Sequence, residues 1–233
     1  DNDKLVTVRE PDYKLVFFGI ENPNVDFRAK DIEEKNGFTS FTVEFYGAAQ
    51  RVTVPTVGIH NVYDALAAFA VGYEMRMEPQ KIAAGLKSFA PSGMRQRIKK
   101  VGGITVIEDC YNASPDSQKA ALDVLSSFKS NRRIAVLGDM LELGKYSDVS
   151  HENVGKYTEN KNIDILFTYG AKAKHIAEGA KGFVDEIKSF DDKTELVKAL
   201  LETLKDGDAV LFKASRGMKL EDVINSLYRE WEE

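Results

Sequence analysis

Ile104-Thr105-Val106-Ile107-Glu108-Asp109-Cys110-Tyr111-Asn112-Ala113-Ser114-Pro115-Asp116-Ser117 runs from a β-branched apolar segment through a polar turn into a stretch that opens a helix. A short apolar run bounded by turn chemistry reads as a buried strand, and the amphipathic segment 117–128 reads as the helix that follows it. The same unit recurs. Ile134-Ala135-Val136-Leu137, the run 163–167 and Val210-Leu211-Phe212 alternate with amphipathic helices at 151–160, 194–204 and 220–231. Strand and helix in repeated alternation predict an α/β fold with a mainly parallel sheet and helices on both faces. Right-handed crossovers then put the strand carboxyl ends on one edge, where such sheets bind ligands. The residues after each strand are therefore the ones to inspect.

Working back from this stretch, Ala90-Pro91-Ser92-Gly93 interrupts the pattern, and a domain boundary with a hinge is expected there, dividing the chain into 1–93 and 94–233. The second part should fold alone. Before the break, 61–73 is rich in Ala and Leu, and a second helix is expected at 79–89, with Pro79 suited to a first turn. Earlier still, 5–56 reads as β structure at Leu15-Val16-Phe17-Phe18, at 38–45 and at Val52-Thr53-Val54. Phe41, Val43 and Phe45 alternate with Thr42 and Glu44, as in a half-buried strand. Turns at 21–24 and at Lys35-Asn36-Gly37 make an antiparallel hairpin or meander the expectation.

The 233 residues are 43% hydrophobic and 30% charged, ordinary for a globular chain of one large or two modest domains. A net charge of -5 gives no global field toward nucleic acid or an anionic membrane, so neither is an expected partner. Cys110 is the single cysteine, which excludes an intrachain disulfide and makes a cytoplasmic location the default. No apolar run approaches the roughly 20 residues of a membrane span. Asp1-Asn2-Asp3-Lys4 has neither the features of a signal peptide nor an initiating methionine, and a truncated or processed start is expected.

Polar clusters sit at the element boundaries. Gly58-Ile59-His60-Asn61-Val62-Tyr63-Asp64 opens an apolar helix, and Asn61 or Asp64 could simply satisfy its first N–H groups. In Gly93-Met94-Arg95-Gln96-Arg97 an arginine at a joint could hold phosphate or ribose oxygens through its planar fork, or lie on the surface. Asp109, Tyr111 and Asn112 follow a strand, where acidic and amide groups can bond a ribose or position an amine. Leu137-Gly138-Asp139-Met140-Leu141-Glu142-Leu143-Gly144 follows another strand and precedes His151, a lone histidine that is more often structural than catalytic. Lys213-Ala214-Ser215-Arg216 puts two cations and a hydroxyl after the last strand, which suits a carboxylate or an ordinary exposed turn.

In this order and spacing the clusters resemble the C-terminal part of the Mur ligases. His60 and Asn61 match the family's His-Asn-x-x-Asn, with Asp64 where Asn is usual. Asp109-x-Tyr111-Asn112-Ala113-x-Pro115 and Leu137-Gly138-Asp139-Met140-x-Glu142-Leu143-Gly144 with His151 mark the branch that handles D-alanyl-D-alanine. Ala214 replaces a usual glycine, and Gly93-Met94-Arg95 is a variant of Gly-Arg-Met that leaves Arg95, not Arg97, as the matching arginine. Asp1-Asn2-Asp3 resembles the tail of the family's Asn-Ala-Asp-Asn. The family's Gly-x-x-Gly-Lys-Thr phosphate loop has no counterpart in this sequence.

The resemblance implies a Rossmann-like C-terminal domain preceded by the remainder of a central ATP-binding domain. It implies a part of a ligase that uses ATP and Mg2+ to activate a UDP-N-acetylmuramoyl-tripeptide carboxylate as an acyl phosphate, which the amine of D-alanyl-D-alanine attacks. By the same carry-over, His60, Asn61 and Asp64 bind the nucleotide, with Asn61 and Asp64 near adenine, and Arg95 and Asp109 contact ribose or phosphate across the joint. Tyr111, Asn112, Asp139, Lys213, Ser215 and Arg216 line the amine-substrate side, with Arg216 or Lys213 facing its carboxylate. No catalytic residue or metal ligand is assigned within the chain, which alone is expected to be inactive. Asp109 and Arg95 are expected at an open edge, so that replacing them spares folding. Two alternatives stay open: another Mur or folylpolyglutamate-type ligase, and a non-catalytic nucleotide-binding or interaction module.

Overall fold

Alternation along Phe38–Phe45 buries Phe41, Val43 and Phe45 and leaves Glu44 in water, so this segment can belong only to a sheet covered on one side. In the computed structural model, which describes residues 1–2, 4–9, 12–35, 37–90 and 93–232, the chain forms two compact units, Asp1–Ala90 and Pro91–Glu233. Pro91 and Ser92 of the expected hinge, Asn36 of an expected turn and Asp3 lie outside the described residues.

The first unit holds β1 (Phe18–Gly19), β2 (Phe27–Lys35), β3 (Phe38–Phe45) and β4 (Ala48–Val54), hydrogen-bonded in that order. β2, β3 and β4 form the expected antiparallel meander, whereas β1 runs parallel to β2. Helices α1 (Ile59–Glu74) and α2 (Pro79–Lys87) follow, with Pro79 in the first turn of α2. Val62, Leu66 and Phe69 of α1 pack with Phe27, Phe41 and Phe45 in one core. Two expectations need correction. Of Leu15-Val16-Phe17-Phe18 only Phe18 enters a strand. β2 was hidden because its charged second half is mostly exposed and a bulge with Asp31 at φ 51° interrupts the alternation.

In the second unit the elements are β5 (Arg97–Val101), β6 (Ile104–Glu108), α3 (Pro115–Ser127), β7 (Arg133–Gly138), α4 (Ser147–Lys156), β8 (Ile165–Tyr169), α5 (Lys174–Gly179), β9 (Glu186–Phe190), α6 (Lys193–Thr203), β10 (Ala209–Lys213) and α7 (Glu221–Glu232). The sheet order is β5-β6-β10-β7-β8-β9, parallel throughout except for the antiparallel edge strand β5. Val106, Val136, Phe167 and Phe212 share a core with Leu196, Leu200, Val223 and Leu227 of α6 and α7. Strand side chains alternate, so the buried Ile107, Leu137, Leu166 and Leu211 point to the opposite face, against α3, α4 and α5. This is the expected parallel sheet with helices on both faces. Among the described residues no helix is long and apolar enough to cross a membrane.

Candidate functional site

β6, β10 and β7 are neighbours in register, Phe212 opposite Glu108 and Lys213 opposite Leu137, so the loops that leave them emerge side by side. Lys213 ends β10 with its side chain only 3% exposed. Its Nζ donates to Asp109 Oδ2 at 2.7 Å, Asn112 O at 3.1 Å and Asp109 O at 3.4 Å. An ammonium has three donors, and these acceptors use them all. Asp109 Oδ1 accepts from Gln96 N at 3.2 Å, and Met94 O accepts from Tyr111 N at 3.1 Å, so the 93–96 turn is stitched to the same loop. The expectation of Lys213 as a carboxylate partner meets a physical obstacle: the amine is buried and saturated beneath the loop. Asp109 does not stand at an open edge either; its side chain is 18% exposed and committed to that buried charge.

Ser215 joins the other two loops. Its Oγ accepts from Leu141 N at 2.9 Å and donates to Ala113 O at 3.4 Å, while Ser215 N donates to Asp139 O at 3.1 Å. Asp139, nearly buried, uses Oδ1 to accept from Lys172 N at 3.0 Å and Ala173 N at 2.6 Å, anchoring the turn ahead of α5. Gly170 makes this approach possible, because at φ 110° a Cβ there would come within 2.5 Å of Asp139 Oδ1. Ala214 turns its methyl toward Gly138, where a second Cβ would lie at 2.7 Å, so the residue is absorbed by packing below the loop.

Tyr111, Asn112, Arg95 and Arg216 are left exposed above this framework. The Arg95 guanidinium lies 4.1 Å from the Tyr111 ring centroid and that of Arg216 lies 5.8 Å from it. Asn112 Oδ1 accepts from Ala113 N at 2.9 Å. Two cations on one aromatic platform, beside an amide, suit an anionic group carried on a small organic molecule. Arg97, on β5, instead faces the buried Glu108 at 3.9 Å.

The nearby groups that could do proton chemistry are occupied. His151 accepts from Met140 N at Nε2, 2.9 Å, and its Nδ1 lies 2.8 Å from Ser147 O, an arrangement that requires the neutral ring with its proton on Nδ1. Burial lowers its pKa, outweighing the Ser147 contact and the charge of Asp139, which raise it. Burial, then the charges of Glu221, Glu108 and Asp109, push the Cys110 thiol up to about 12, which keeps it protonated at neutral pH. No group of three or more His, Cys, Asp or Glu side chains able to hold a metal ion occurs among the described residues.

His60, Asn61 and Asp64 lie in the first unit, at the start of α1. Gly58, at φ 102°, precedes the helix and provides no side-chain cap, and its N–H donates to Glu34 Oε1 at 2.7 Å. Asn61 Nδ2 donates to Val57 O at 2.7 Å and lies 3.1 Å from His60 Nε2, so its amide holds the incoming chain instead of capping the helix. Asp64 is exposed one turn on.

Four participants were missed at the level of sequence. Gln118 is fully buried and donates to Gly138 O at 2.9 Å, tying α3 to the end of β7; a polar residue on the apolar face of a predicted helix was the available signal. The Lys172 and Ala173 contacts are backbone N–H groups and leave no side-chain trace. Glu221, in the first turn of α7, pairs with Arg216 Nη1 at 3.2 Å and looked like an ordinary helix-start acid.

A model of the Mur ligase, glutamate ligase domain matches residues 94–216, and a model of the Mur ligase middle domain matches residues 1–72. The chain is 39% identical over 206 residues to the UDP-N-acetylmuramoyl-tripeptide--D-alanyl-D-alanine ligase of Bacillus subtilis (strain 168), covering 87% of this chain and 45% of that protein. Among solved structures, MurF from Acinetobacter baumannii superposes with a TM-score of 0.81 at 26% identity, over 91% of this chain and 46% of that one. MurF ligase from Thermotoga maritima, solved in complex with ADP, gives 0.79 at 26% identity, over 93% and 49%. The chain thus spans about half the length of the curated relatives it matches.

Proposed function

Because the chain belongs to the Mur ligase family, as the motifs of its polar loops led us to expect, we propose that the protein it represents adds D-alanyl-D-alanine to UDP-N-acetylmuramoyl-tripeptide at the expense of ATP, in peptidoglycan precursor synthesis. In this reading 1–93 are the remainder of the central ATP-binding domain and 94–233 form the domain that docks the incoming dipeptide. The observation that carries the reading is the convergence of four motif segments on the carboxyl edge of one parallel sheet, with Arg95 and Arg216 flanking Tyr111. The substrates are ATP and a UDP-linked precursor, so the proposed setting is the cytoplasm.

ATP supplies the phosphoryl group that turns the tripeptide carboxylate into an acyl phosphate. The task of this chain is positioning, which converts attack by a separate amine into a near-unimolecular step. Arg216 presents its planar fork to the terminal carboxylate of the dipeptide, Tyr111 gives its small side chains an apolar surface, and Asn112 offers an amide to its peptide bond. Lys213, Ser215 and Asp139 hold these groups in place from below. By the family resemblance we assign Arg95 to phosphate or ribose oxygens, and His60, Asn61 and Asp64 to nucleotide binding. Mg2+ belongs to the family reaction, but the described residues offer no ligand cluster for it, and no step through the metal is assigned to this chain.

The test is phosphate release by the intact parent protein given ATP, Mg2+ and UDP-N-acetylmuramoyl-tripeptide. Release that requires D-alanyl-D-alanine is expected. Release driven equally by a single amino acid or by glutamate would point to another ligase of the family, and no release with any amine would leave a non-catalytic module. The 233-residue chain, whose sequence has no Gly-x-x-Gly-Lys-Thr loop, should release none.

A further inference from the structure

Arg216 is an exposed cation of the cluster, and an exposed arginine by itself samples many rotamers and loses that freedom when a ligand fixes it. Here it does not stand by itself. Its backbone follows the buried Ser215, and a short 3-10 turn, Arg216–Met218, leads through Lys219 in the left-handed conformation, φ 49°, to the buried Leu220 and the start of α7. Lys193 Nζ holds that corner from outside, donating to Lys219 O at 2.9 Å and Asp222 Oδ2 at 2.6 Å. Glu221 then returns toward Arg216, with Oε1 at 3.2 Å from Nη1. Its side chain is 18% exposed against 62% for Arg216, and the first turn of a helix favours its negative charge. The more buried partner is the acid and the more exposed one is the arginine.

Glu221 Oε2 is buried and has no hydrogen-bond partner. Leaving a buried carboxylate oxygen unpaired costs free energy, which a second donor reaching it would recover. With one oxygen on Arg216 and the other in reserve, the carboxylate can complete a two-bond fork when a ligand draws the guanidinium inward.

We infer that Glu221 is a positioning residue that sets the direction of the Arg216 guanidinium, and thereby makes the site select amines that carry a free terminal carboxylate. The inference rests on the ligase reading given above. Glu221 touches no substrate; it acts through Arg216.

The experiment uses the intact parent with Glu221→Gln and Glu221→Asp, and two acceptors, D-alanyl-D-alanine and its C-terminal amide, which lacks the carboxylate. Glu221→Gln should raise KM for the dipeptide about tenfold, leave kcat within about twofold, and change KM for the amide by less than about twofold. Glu221→Asp, which keeps the charge, should recover most of the dipeptide affinity. An equal rise of KM for both acceptors, or a fall in kcat with KM unchanged, overturns the inference. If Glu221→Gln does not fold, Glu221→Ala, which removes the charge without burying an amide in its place, is read by the same criterion. A wild-type parent that couples neither acceptor overturns the underlying ligase reading and this inference with it, an outcome visible before any variant is made.

Discussion

Asp109 and Lys213 lie 104 positions apart and form the most deeply placed ion pair of the candidate site. Removing one partner of a buried pair strands the other charge and costs about 3–5 kcal/mol, whereas replacing both by uncharged groups of similar volume is often neutral. Asp109→Ala should therefore lower the chemical unfolding midpoint of the chain markedly, and Asp109→Asn combined with Lys213→Met should recover much of the loss. Unchanged stability in Asp109→Ala would show that the pair is not formed. The sequence made Asp109 legible as an acid after a strand and Lys213 as a cation after another. It could not say that they face each other, because strand order decides that: β10 inserts between β6 and β7. Tyr111, Asn112 and Arg216 were legible as rim residues for the opposite reason, since exposed polar groups at a strand end need no partner to be identified.

At the scale of elements, what could be read was whatever buries an apolar face. β6, β7, β8 and β10 are continuous apolar runs, as strands covered on both sides must be, and each was found. The edge strands β5 and β9, Arg-Ile-Lys-Lys-Val and Glu-Ile-Lys-Ser-Phe, carry charge and are mostly half-exposed, so periodicity is weak there. α5 is short, and it is held less by its own sequence than by a close crossing with α4, where a Cβ on Gly155 or Gly179 would come within 2.1 Å of the other helix's backbone. α4 in turn is tied to the loop after β7 by His151, and this link has a pH dependence. The folded ring is held neutral and its pKa lies below the ordinary value of 6.5, chiefly through burial, with Asp139, Asp148 and His175 as charged or titratable neighbours. The folded state thus binds fewer protons than the unfolded state below that value, so the stability contributed by His151 is full above it and declines as pH falls toward the folded pKa. Thermal melts at about pH 7.5 and about pH 5.5 should show a larger loss for the wild type than for His151→Gln, which has no proton to gain there. Equal losses would mean that His151 keeps its folded geometry when charged.

For the whole molecule, the family and the order of its motifs were legible because loop residues with special chemistry are spaced by elements of standard length. The four-stranded sheet of the first unit was read only in part, since β2 is half wet and bulged. What the chain contributes to a ligase is, on this account, a rigid carboxyl edge of a parallel sheet that orients one amine substrate. The direct test is Arg216→Ala in the intact parent, with KM measured separately for D-alanyl-D-alanine and for ATP. Losing a charge-assisted hydrogen bond of about 1.5–3 kcal/mol should raise KM for the dipeptide roughly tenfold or more and leave that for ATP within about twofold. An unchanged dipeptide KM, or an equal rise for both substrates, would contradict the assignment of this edge to the amine.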